Sequence, residues 1–326
     1  MKALVTGSCG FIGSHLVEAL IKEGNEVYCL VRKESKRRWL DGLELRYCEA
    51  SYDDKTSLGR AVEGMDYVFH LGAVIDAWDW ETYYRVNTLG TKNLIEACAE
   101  TNPGVKRFVY VSSIAASGHS ERGVLRTEKD EPHPLSLYGK SKLLAENILN
   151  QHRRTLPIVI IRLPNVLGVR EDKVLNVLKL VKKRIFPLLG NGDKQTSLCF
   201  VEDAVQALIL AAEKDLARGE TYFVTDGRAY SWREIVRSIA RELGVGPFVL
   251  KLPYWSLLGV AGVSEVVAKL SRKKPMTSRS EIKASRKHYW LFDSRKIEED
   301  LGFKAQVDFE KGIKDIVSWY REKGFL

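Results

Sequence analysis

Short apolar runs alternate with segments of helical periodicity along the first half of the chain. The apolar runs lack an alternating polar face, which is typical of strands buried on both sides of a parallel sheet. We predict strands at residues 2–6, 26–31, 45–48, 67–71, 108–111 and 158–161. We predict crossover helices at residues 11–22, 58–62, 82–100 and 138–152. This alternation predicts an α/β fold with a doubly wound parallel sheet.

Beyond Pro164 the alternation of apolar runs and helical segments becomes irregular, and glycine and proline residues interrupt it. We predict a strand at 197–201, a helix at 203–214, a strand at 221–225, and helices that begin near Ser231, Pro253, Asp293 and Phe309. The expected domains are residues 1–165, rejoined by return segments from about 195–225, and a smaller C-terminal lobe of residues 166–326. A ligand is expected in the cleft between them, at the carboxyl ends of the strands.

Cysteine content and the N-terminal sequence argue against a disulfide-stabilised, zinc-binding or secreted protein. The five cysteines of the 326 residues are odd in number and widely spaced, without a C-x-x-C pair, which argues against a disulfide framework and a zinc site. No metal site is expected. The chain begins with a predicted strand rather than with the pattern of a signal peptide, so a cytoplasmic location is the expectation.

The net charge of +9 is concentrated at residues 32–38 and 269–296. These clusters lack interleaved aromatic residues, so we expect no nucleic-acid partner. The apolar stretch 254–264 is shorter than the roughly 20 residues that span a bilayer. Because basic residues follow it, it could lie on a membrane surface, but we favour a helix that packs on the second lobe.

Three glycines, Gly7, Gly10 and Gly13, stand in the run TGSCGFIG between the first predicted strand and the first predicted helix. Such glycines let the backbone approach a pyrophosphate, and the free amides and dipole of the helix N-terminus attract negative charge. A purely structural turn is the alternative, but the strand–turn–helix context favours dinucleotide binding and a Rossmann-type fold. The contact residues predicted here are Gly7, Cys9, Gly10, Phe11, Ile12 and Gly13.

The end of the second strand indicates which dinucleotide binds. An acidic residue there binds the ribose of NAD, whereas a basic one accommodates the phosphate of NADP. Here the strand ends at Val31 and Arg32, and Lys36 follows in the run VRKESKRR. We therefore predict NADP with contacts from Arg32 and Lys36, and NAD is the alternative.

The segment YGKSK places Tyr138 and Lys142 four residues apart, on one face of a predicted helix. A nearby ammonium stabilises a phenolate, so the pair could exchange a proton with a substrate oxygen. Ser113 closes the fifth predicted strand, whose carboxyl end faces the same crevice. We predict Ser113, Tyr138 and Lys142 as the catalytic residues.

Seven ordered motifs resemble the extended branch of the short-chain dehydrogenase/reductase superfamily: TGSCGFIG, HLGAV, VNTLGTKNLIEAC, VSSIAASG, YGKSK, RLPNVLG and FVEDA. The resemblance implies that Ser113 polarises the substrate oxygen, that Tyr138 is the acid or base, and that Lys142 binds the nicotinamide ribose and lowers the pKa of Tyr138. It also implies contacts with the dinucleotide from Ser51, Tyr52, Leu71, Gly72, Ala73, Pro164 and Val166. Two residues depart from the family pattern: Ser51 stands where an aspartate often contacts adenine, and Gly72 replaces a common alanine.

Within that branch the sequence resembles dihydroflavonol reductases, 3-beta-hydroxysteroid dehydrogenases and hopanoid-associated epimerase-like bacterial proteins. We expect an NAD(P)-dependent oxidoreductase that interconverts an alcohol and a ketone on an apolar, ring-containing small molecule. The aromatic residues expected to wall its pocket are Trp78, Trp80, Tyr83 and Tyr84, together with the segment 254–258. The alternatives are a nucleotide-sugar epimerase or dehydratase with tightly bound NAD, and a dinucleotide-binding regulatory protein without catalysis. A homodimer is expected, as is usual for relatives.

Overall fold

A computed structural model describes residues 1–189, 192–246, 248–252, 254–271 and 289–326. Its strands are β1 Lys2–Thr6, β2 Glu26–Val31, β3 Arg46–Glu49, β4 Tyr67–His70, β5 Arg107–Ser113, β6 Ile158–Leu163, β7 Asn165–Leu167, β8 Ile185–Leu189, β9 Gln195–Phe200, β10 Thr221–Phe223, β11 Ala229–Ser231 and β12 Phe248–Leu252. Its α-helices are α1 Phe11–Lys22, α2 Lys55–Val62, α3 Trp80–Tyr83, α4 Gly90–Thr101, α5 Ile114–Ser117, α6 Leu137–His152, α7 Asp172–Lys182, α8 Val201–Glu213, α9 Trp232–Leu243, α10 Tyr254–Ser271, α11 Arg295–Leu301 and α12 Phe309–Glu322.

Seven parallel strands form the central sheet in the order β10-β6-β5-β4-β1-β2-β3. The chain builds outward from β1 through β2 and β3, then returns to β4 and builds in the opposite direction. This reversal between β1 and β4 opens a crevice at the carboxyl ends of the two strands, where doubly wound sheets bind ligands. The predicted fold class is confirmed.

Side chains of the central strands point alternately into two cores. In β1, Ala3 and Val5 pack on the face covered by α1 and α8, whereas Leu4 packs on the face covered by α2, α4 and α6. The strands are buried on both faces, which explains their continuous apolar sequences. Because helices cover both faces, ligand access is left to the strand ends.

A second, smaller group of elements follows β6. The strands β7, β9 and β11 form a three-stranded sheet, and α7, α9 and α12 pack around an aliphatic core beside it. The chain then contributes β10 to the edge of the central sheet, and α8 packs against α1. The carboxylate of buried Asp203 accepts hydrogen bonds from the backbone amides of Gln306 and Val307, at 2.7 and 3.3 Å, which fixes the C-terminal segment to α8.

The structure differs from the predicted helix at 82–100 in one respect. A π-helical segment, Tyr84–Leu89, separates α3 from α4. The four short strands β7, β8, β11 and β12 were not predicted, because three to five residues carry too little periodicity to be recognised.

Candidate active site

A cleft of about 1120 Å³ lies at the carboxyl ends of β1, β4 and β5 and extends to the helices of the smaller lobe. The three predicted catalytic residues, Ser113, Tyr138 and Lys142, border this cleft together. So do all the predicted cofactor contacts: Gly7, Cys9, Gly10, Phe11, Ile12, Gly13, Arg32, Lys36, Ser51, Tyr52, Leu71, Gly72, Ala73, Pro164 and Val166. The structure therefore brings the sequence-predicted residues into one site.

The glycine turn packs too tightly for side chains. Gly7 has a φ of +68°, and a Cβ atom there would lie 2.8 Å from the backbone nitrogen of Gly72. Helix α1 starts after Gly10 without a side-chain cap and without an acidic residue in its first turn. Its first amides therefore remain available to an anion, and the helix dipole favours negative charge there. The turn fits the pyrophosphate of a dinucleotide.

A buried network of neutral groups supports the turn. The hydroxyl of Thr6 accepts a hydrogen bond from the backbone nitrogen of Gly72 (3.0 Å) and is hydrogen-bonded to Nδ1 of His70 (2.8 Å). Burial lowers the pKa of His70 to about 3, so the imidazole is neutral. The hydroxyl of Tyr52 fills the space that a Cβ atom at residue 72 would need. Glycine at this position thus makes room for Tyr52, which explains its departure from the family's alanine.

Tyr138 and Ser113 come from different elements and meet in the cleft. Ser136 caps α6 by accepting a hydrogen bond from the amide of Gly139 (3.0 Å), which places Tyr138 in the first turn. Ser113 ends β5, and its hydroxyl accepts a hydrogen bond from the amide of Ala115 (3.1 Å). The hydroxyl of Ser113 lies near the phenol of Tyr138 and acts to lower its pKa. One substrate oxygen could therefore contact both hydroxyls.

Burial controls the charges of the catalytic pair. It raises the pKa of Tyr138 to about 12, and the nearby Ser113 hydroxyl acts in the opposite direction. The protein alone thus holds Tyr138 as a neutral phenol at pH 7. Burial also lowers the pKa of Lys142 to about 7, against the attraction of Glu146. The amine of Lys142 donates to the carbonyl oxygen of Val111 (2.7 Å) and lies 4.1 Å from the centre of the Tyr110 ring.

Glu146, one helical turn beyond Lys142, belongs to a buried network that the sequence reasoning missed. Its carboxylate accepts two hydrogen bonds from the Arg162 guanidinium, at 2.7 and 3.1 Å, and one from the hydroxyl of Ser112. All three residues are at most 6% exposed. An acidic residue four positions after Lys142 in an otherwise apolar helix face was the available signal. The network joins the catalytic helix α6 to β5 and β6.

Asn87 was missed as well. It is 1% exposed and lies in the π-helical segment. Its side chain accepts from the amide of Val74 (2.8 Å) and donates to the carbonyl of Val74 (2.9 Å) and to the hydroxyl of Ser141 (3.0 Å). It thereby ties the loop after β4 to the catalytic helix. A π-helical turn often accompanies functional sites, and here it directs this amide into the protein.

The basic loop after β2 divides into two parts. Arg32 and Lys36 border the cleft, as does Glu34. Arg37 and Arg38 instead lie over the rings of Tyr47 and Trp39, at 4.1 and 4.5 Å. Two cations and one carboxylate are thus available to the ribose end of a dinucleotide.

The expectation of an aromatic pocket wall was wrong for the described residues. Trp78, Trp80, Tyr83 and Tyr84 do not border the cleft, and neither do the described side chains of 254–258. Tyr83 instead packs behind Tyr138, with ring centres 6.2 Å apart. The end of the cleft in the smaller lobe is bordered by Trp232 and by six aliphatic residues of α7, α9 and α12: Val177, Leu178, Ile235, Ile239, Ile313 and Ile316. We call these six aliphatic residues the aliphatic wall.

Comparison with known proteins agrees with this geometry. The sterol-4-alpha-carboxylate 3-dehydrogenase (decarboxylating) of Dictyostelium discoideum is 25% identical over 96% of this chain and 98% of its own. A 2-alkyl-3-oxoalkanoate reductase of Shewanella oneidensis is 27% identical over 96% of this chain and 84% of its own. The UDP-glucose 4-epimerase of Thermus thermophilus, solved in complex with NAD, superimposes with a TM-score of 0.79 at 26% identity, covering 98% of this chain and 99% of that chain.

The fold and the relatives define the class as NAD(P)-dependent enzymes with a Rossmann-like sheet. The model of the NAD dependent epimerase/dehydratase family matches residues 3–224, and the chain belongs to this family. The sequence resemblance to extended short-chain dehydrogenases is thereby confirmed.

Gly72→Ala tests the close contact with Tyr52. The added methyl group must displace the Tyr52 hydroxyl, so we expect binding of NADPH or NADH to weaken about tenfold, in keeping with the usual cost of overpacking. The double variant Tyr52→Phe/Gly72→Ala, which lacks the obstructing hydroxyl, should recover most of the affinity. Fluorescence titration measures both, and Gly104→Ala is the control because nothing lies within 4 Å of a Cβ there. Equal affinity of Gly72→Ala and wild type would contradict the contact.

Lys142→Met tests the buried amine. Between pH 7 and about 10.4 the unfolded chain holds a proton on Lys142 that the folded chain does not, so wild-type stability gains from rising pH there. The variant lacks this gain, and its free energy of unfolding relative to wild type should therefore be highest near pH 7 and decline towards pH 10. Urea denaturation at several pH values measures it, with exposed Lys140→Met as the control. A difference that stays constant with pH would refute the shifted pKa.

Proposed function

We propose that the protein is an NADP-dependent oxidoreductase that interconverts a ketone and a secondary alcohol on an apolar small molecule. The observation that supports this most is that Ser113 and Tyr138 lie side by side in a cleft that continues to the aliphatic wall. A polar reaction site beside an apolar wall suits a substrate whose carbonyl is its main polar group.

The chemistry divides between the cofactor and the chain. The nicotinamide, when bound, supplies or accepts the hydride at the reacting carbon. Ser113 and Tyr138 hold the substrate oxygen, and in the reductive direction the neutral phenol of Tyr138 gives its proton to that oxygen. Lys142 is positioned to bind a ribose hydroxyl and, when charged, to stabilise the phenolate that remains. The pyrophosphate would be held by the glycine turn, and Pro164 and Val166 border the nicotinamide end of the cleft.

The charges around the far end of the cleft favour an apolar substrate over a nucleotide sugar. Among the described lining residues of the smaller lobe, the cation is Lys173, and it is paired with Asp76 at 3.4 Å. Arg85, in the π-helical segment, is a further cation that borders the cleft. A pyrophosphate buried there would need cationic partners of its own. The similarity to a 2-alkyl-3-oxoalkanoate reductase and to a sterol carboxylate dehydrogenase points the same way. Because most residues that line this end of the cleft are aliphatic, with Trp232 beside them, the proposal does not require a ring in the substrate.

An epimerase with tightly bound NAD is the second candidate, favoured by the family match and by the likeness to a UDP-glucose 4-epimerase solved with NAD. The two candidates differ in stoichiometry, because a dehydrogenase consumes added cofactor whereas an epimerase returns the hydride within one turnover. Homodimerisation stays a prediction.

Tyr138→Phe should abolish catalysis while leaving cofactor binding intact. We expect consumption of NADPH with a panel of long-chain and cyclic ketones to fall about 100- to 10,000-fold, the usual contribution of a general acid. Tyr84→Phe is the matched control, because Tyr84 lies outside the cleft lining. UDP-glucose with NAD is assayed in parallel. Undiminished activity of Tyr138→Phe would refute the mechanism, and formation of UDP-galactose without net cofactor turnover would establish the epimerase instead.

Replacing the cleft-facing cations of the loop after β2 tests the preference for NADP. Arg32→Ala and Lys36→Ala should each weaken binding of NADPH about tenfold, because each removes a charge-assisted contact with the ribose phosphate, and should leave NADH binding nearly unchanged. Lys33→Ala is the control, since Lys33 is exposed in the same loop outside the cleft lining. Calorimetric titration with both nucleotides measures the effect. Equal losses for NADPH and NADH would contradict a phosphate-binding role.

A further inference from the structure

We propose that α10 lies flat on an anionic lipid bilayer, with the apolar stripe of its exposed face at the boundary between headgroups and acyl chains. This interaction surface lies outside the cleft and does not depend on the proposed reaction. The helix keeps the packing on the lobe that the sequence predicts, and the membrane contact is made by its opposite face.

The stripe consists of Trp255, Val263, Val266 and Val267, which are 75%, 65%, 57% and 56% exposed. Their spacing places them along one side of the helix, because residues three, four, seven or eight apart share a face. Ala261, on the opposite side, is fully buried. Helix α10 therefore already packs on the protein through one face and presents large apolar side chains on the other. Single exposed apolar residues are ordinary, but a continuous stripe indicates an interaction site.

The sequence that continues from this stripe is strongly basic. Residues 269–287 contain eight lysines or arginines and one glutamate, a net charge of +7 out of +9 for the whole chain. An apolar helix face next to a cluster of lysines and arginines is the combination that binds anionic membrane surfaces. No helix of the described residues is long and apolar enough to cross a bilayer, so the surface orientation is the relevant one.

Charge also favours a bilayer over a second copy of this chain as the partner that covers the exposed face of α10. Two copies meeting through α10 would bring two segments of +7 together, and their repulsion would oppose the contact. An anionic bilayer satisfies both features at once, because its acyl region receives the valines and its headgroups neutralise the basic residues.

The position of α10 relates it to the cleft. It follows β12, which pairs with β8, and β8 packs on α7 and α9. These two helices carry four residues of the aliphatic wall: Val177, Leu178, Ile235 and Ile239. The membrane-facing helix and the apolar end of the cleft therefore belong to the same lobe.

Flotation of the full-length protein with lipid vesicles tests the proposal. We expect the protein to float with vesicles of phosphatidylcholine mixed with phosphatidylglycerol, to remain below vesicles of pure phosphatidylcholine, and to be released by salt. Val263→Asp/Val266→Asp should lower partitioning by about tenfold or more, because it places charge in the apolar interface. Leu216→Asp is the control, since Leu216 is 69% exposed outside α10.

A second pair of variants tests the charge. Lys273→Glu/Lys274→Glu, in the basic sequence outside the described residues, should also lower partitioning about tenfold, whereas Lys182→Glu/Lys183→Glu, which changes two exposed lysines at the end of α7, should not. Melting temperature and NADPH affinity equal to wild type establish that the variants are folded. The proposal is overturned if wild type stays off anionic vesicles at low salt, or if both Val263→Asp/Val266→Asp and Lys273→Glu/Lys274→Glu float like wild type. It is also overturned if Val263→Asp/Val266→Asp changes only the oligomeric state.

Discussion

The burial of one amine, that of Lys142, constrains the architecture of the site. It lies between β5 and α6, where it donates to the carbonyl of Val111 and lies over the Tyr110 ring. Removing a cation from water is expensive unless opposite charge compensates it. Glu146 supplies that charge from the next turn of α6. A buried carboxylate needs compensation in turn, and Arg162 on the adjacent strand provides it. The catalytic helix is therefore tied to β5 and β6 by the demands of one buried charge.

The network of Lys142, Glu146, Arg162 and Ser112 reaches β5 and β6 close to the reaction site. Ser112, which donates to Glu146, directly precedes Ser113, and Arg162 lies two residues before Pro164. A shift of the ion pair would move β5 and β6 together and displace the serine hydroxyl from the tyrosine it contacts. A buried ion pair is weak evidence for stability, because apolar residues of similar volume often stabilise as much. Its position beside the catalytic residues argues that it serves orientation, with fold stability a secondary consequence.

The sequence predicts the parts of this site that depend on local spacing. The turn Gly7–Gly10–Gly13 follows one strand and precedes one helix, and Tyr138 and Lys142 share one helical face, so each is recognisable within a few residues. Contacts between distant residues are a different matter. Nothing near Gly72 indicates that Tyr52 occupies the space of its missing side chain, and nothing near Asn87 indicates that it will bind the backbone of Val74. Such pairs depend on how the elements pack, which periodicity does not encode.

The aliphatic wall shows a second limit of sequence reasoning. Ile235 and Ile239 on α9 and Ile313 and Ile316 on α12 follow the spacing of an ordinary amphipathic helix, and they do belong to the core of the smaller lobe. The same residues border the cleft, because α7, α9 and α12 leave an opening towards the strand ends. Apolar residues that fill a core and apolar residues that line a pocket show the same spacing along an amphipathic helix. The sequence pattern therefore assigned the pocket wall to aromatic residues, although it predicted two of the three helices that carry the wall, α9 and α12; the third, α7, was not predicted.

Charge is distributed unevenly along the cleft, and this distribution has a consequence for substrate selection. Arg32 and Lys36 border the cofactor end, and Lys142 lies at the reaction site. Arg85 also borders the cleft, and the lining cation of the smaller lobe, Lys173, is paired with Asp76. Binding at the last of these positions must then come mainly from removing apolar surface from water, at about 25 cal/mol per Å². Such binding increases with the length of an apolar substituent but discriminates poorly between substituents of similar size, because one methylene is worth only about 1 kcal/mol. The fixed pair of Ser113 and Tyr138 must therefore select the reacting carbonyl, while the wall selects only for size and apolarity.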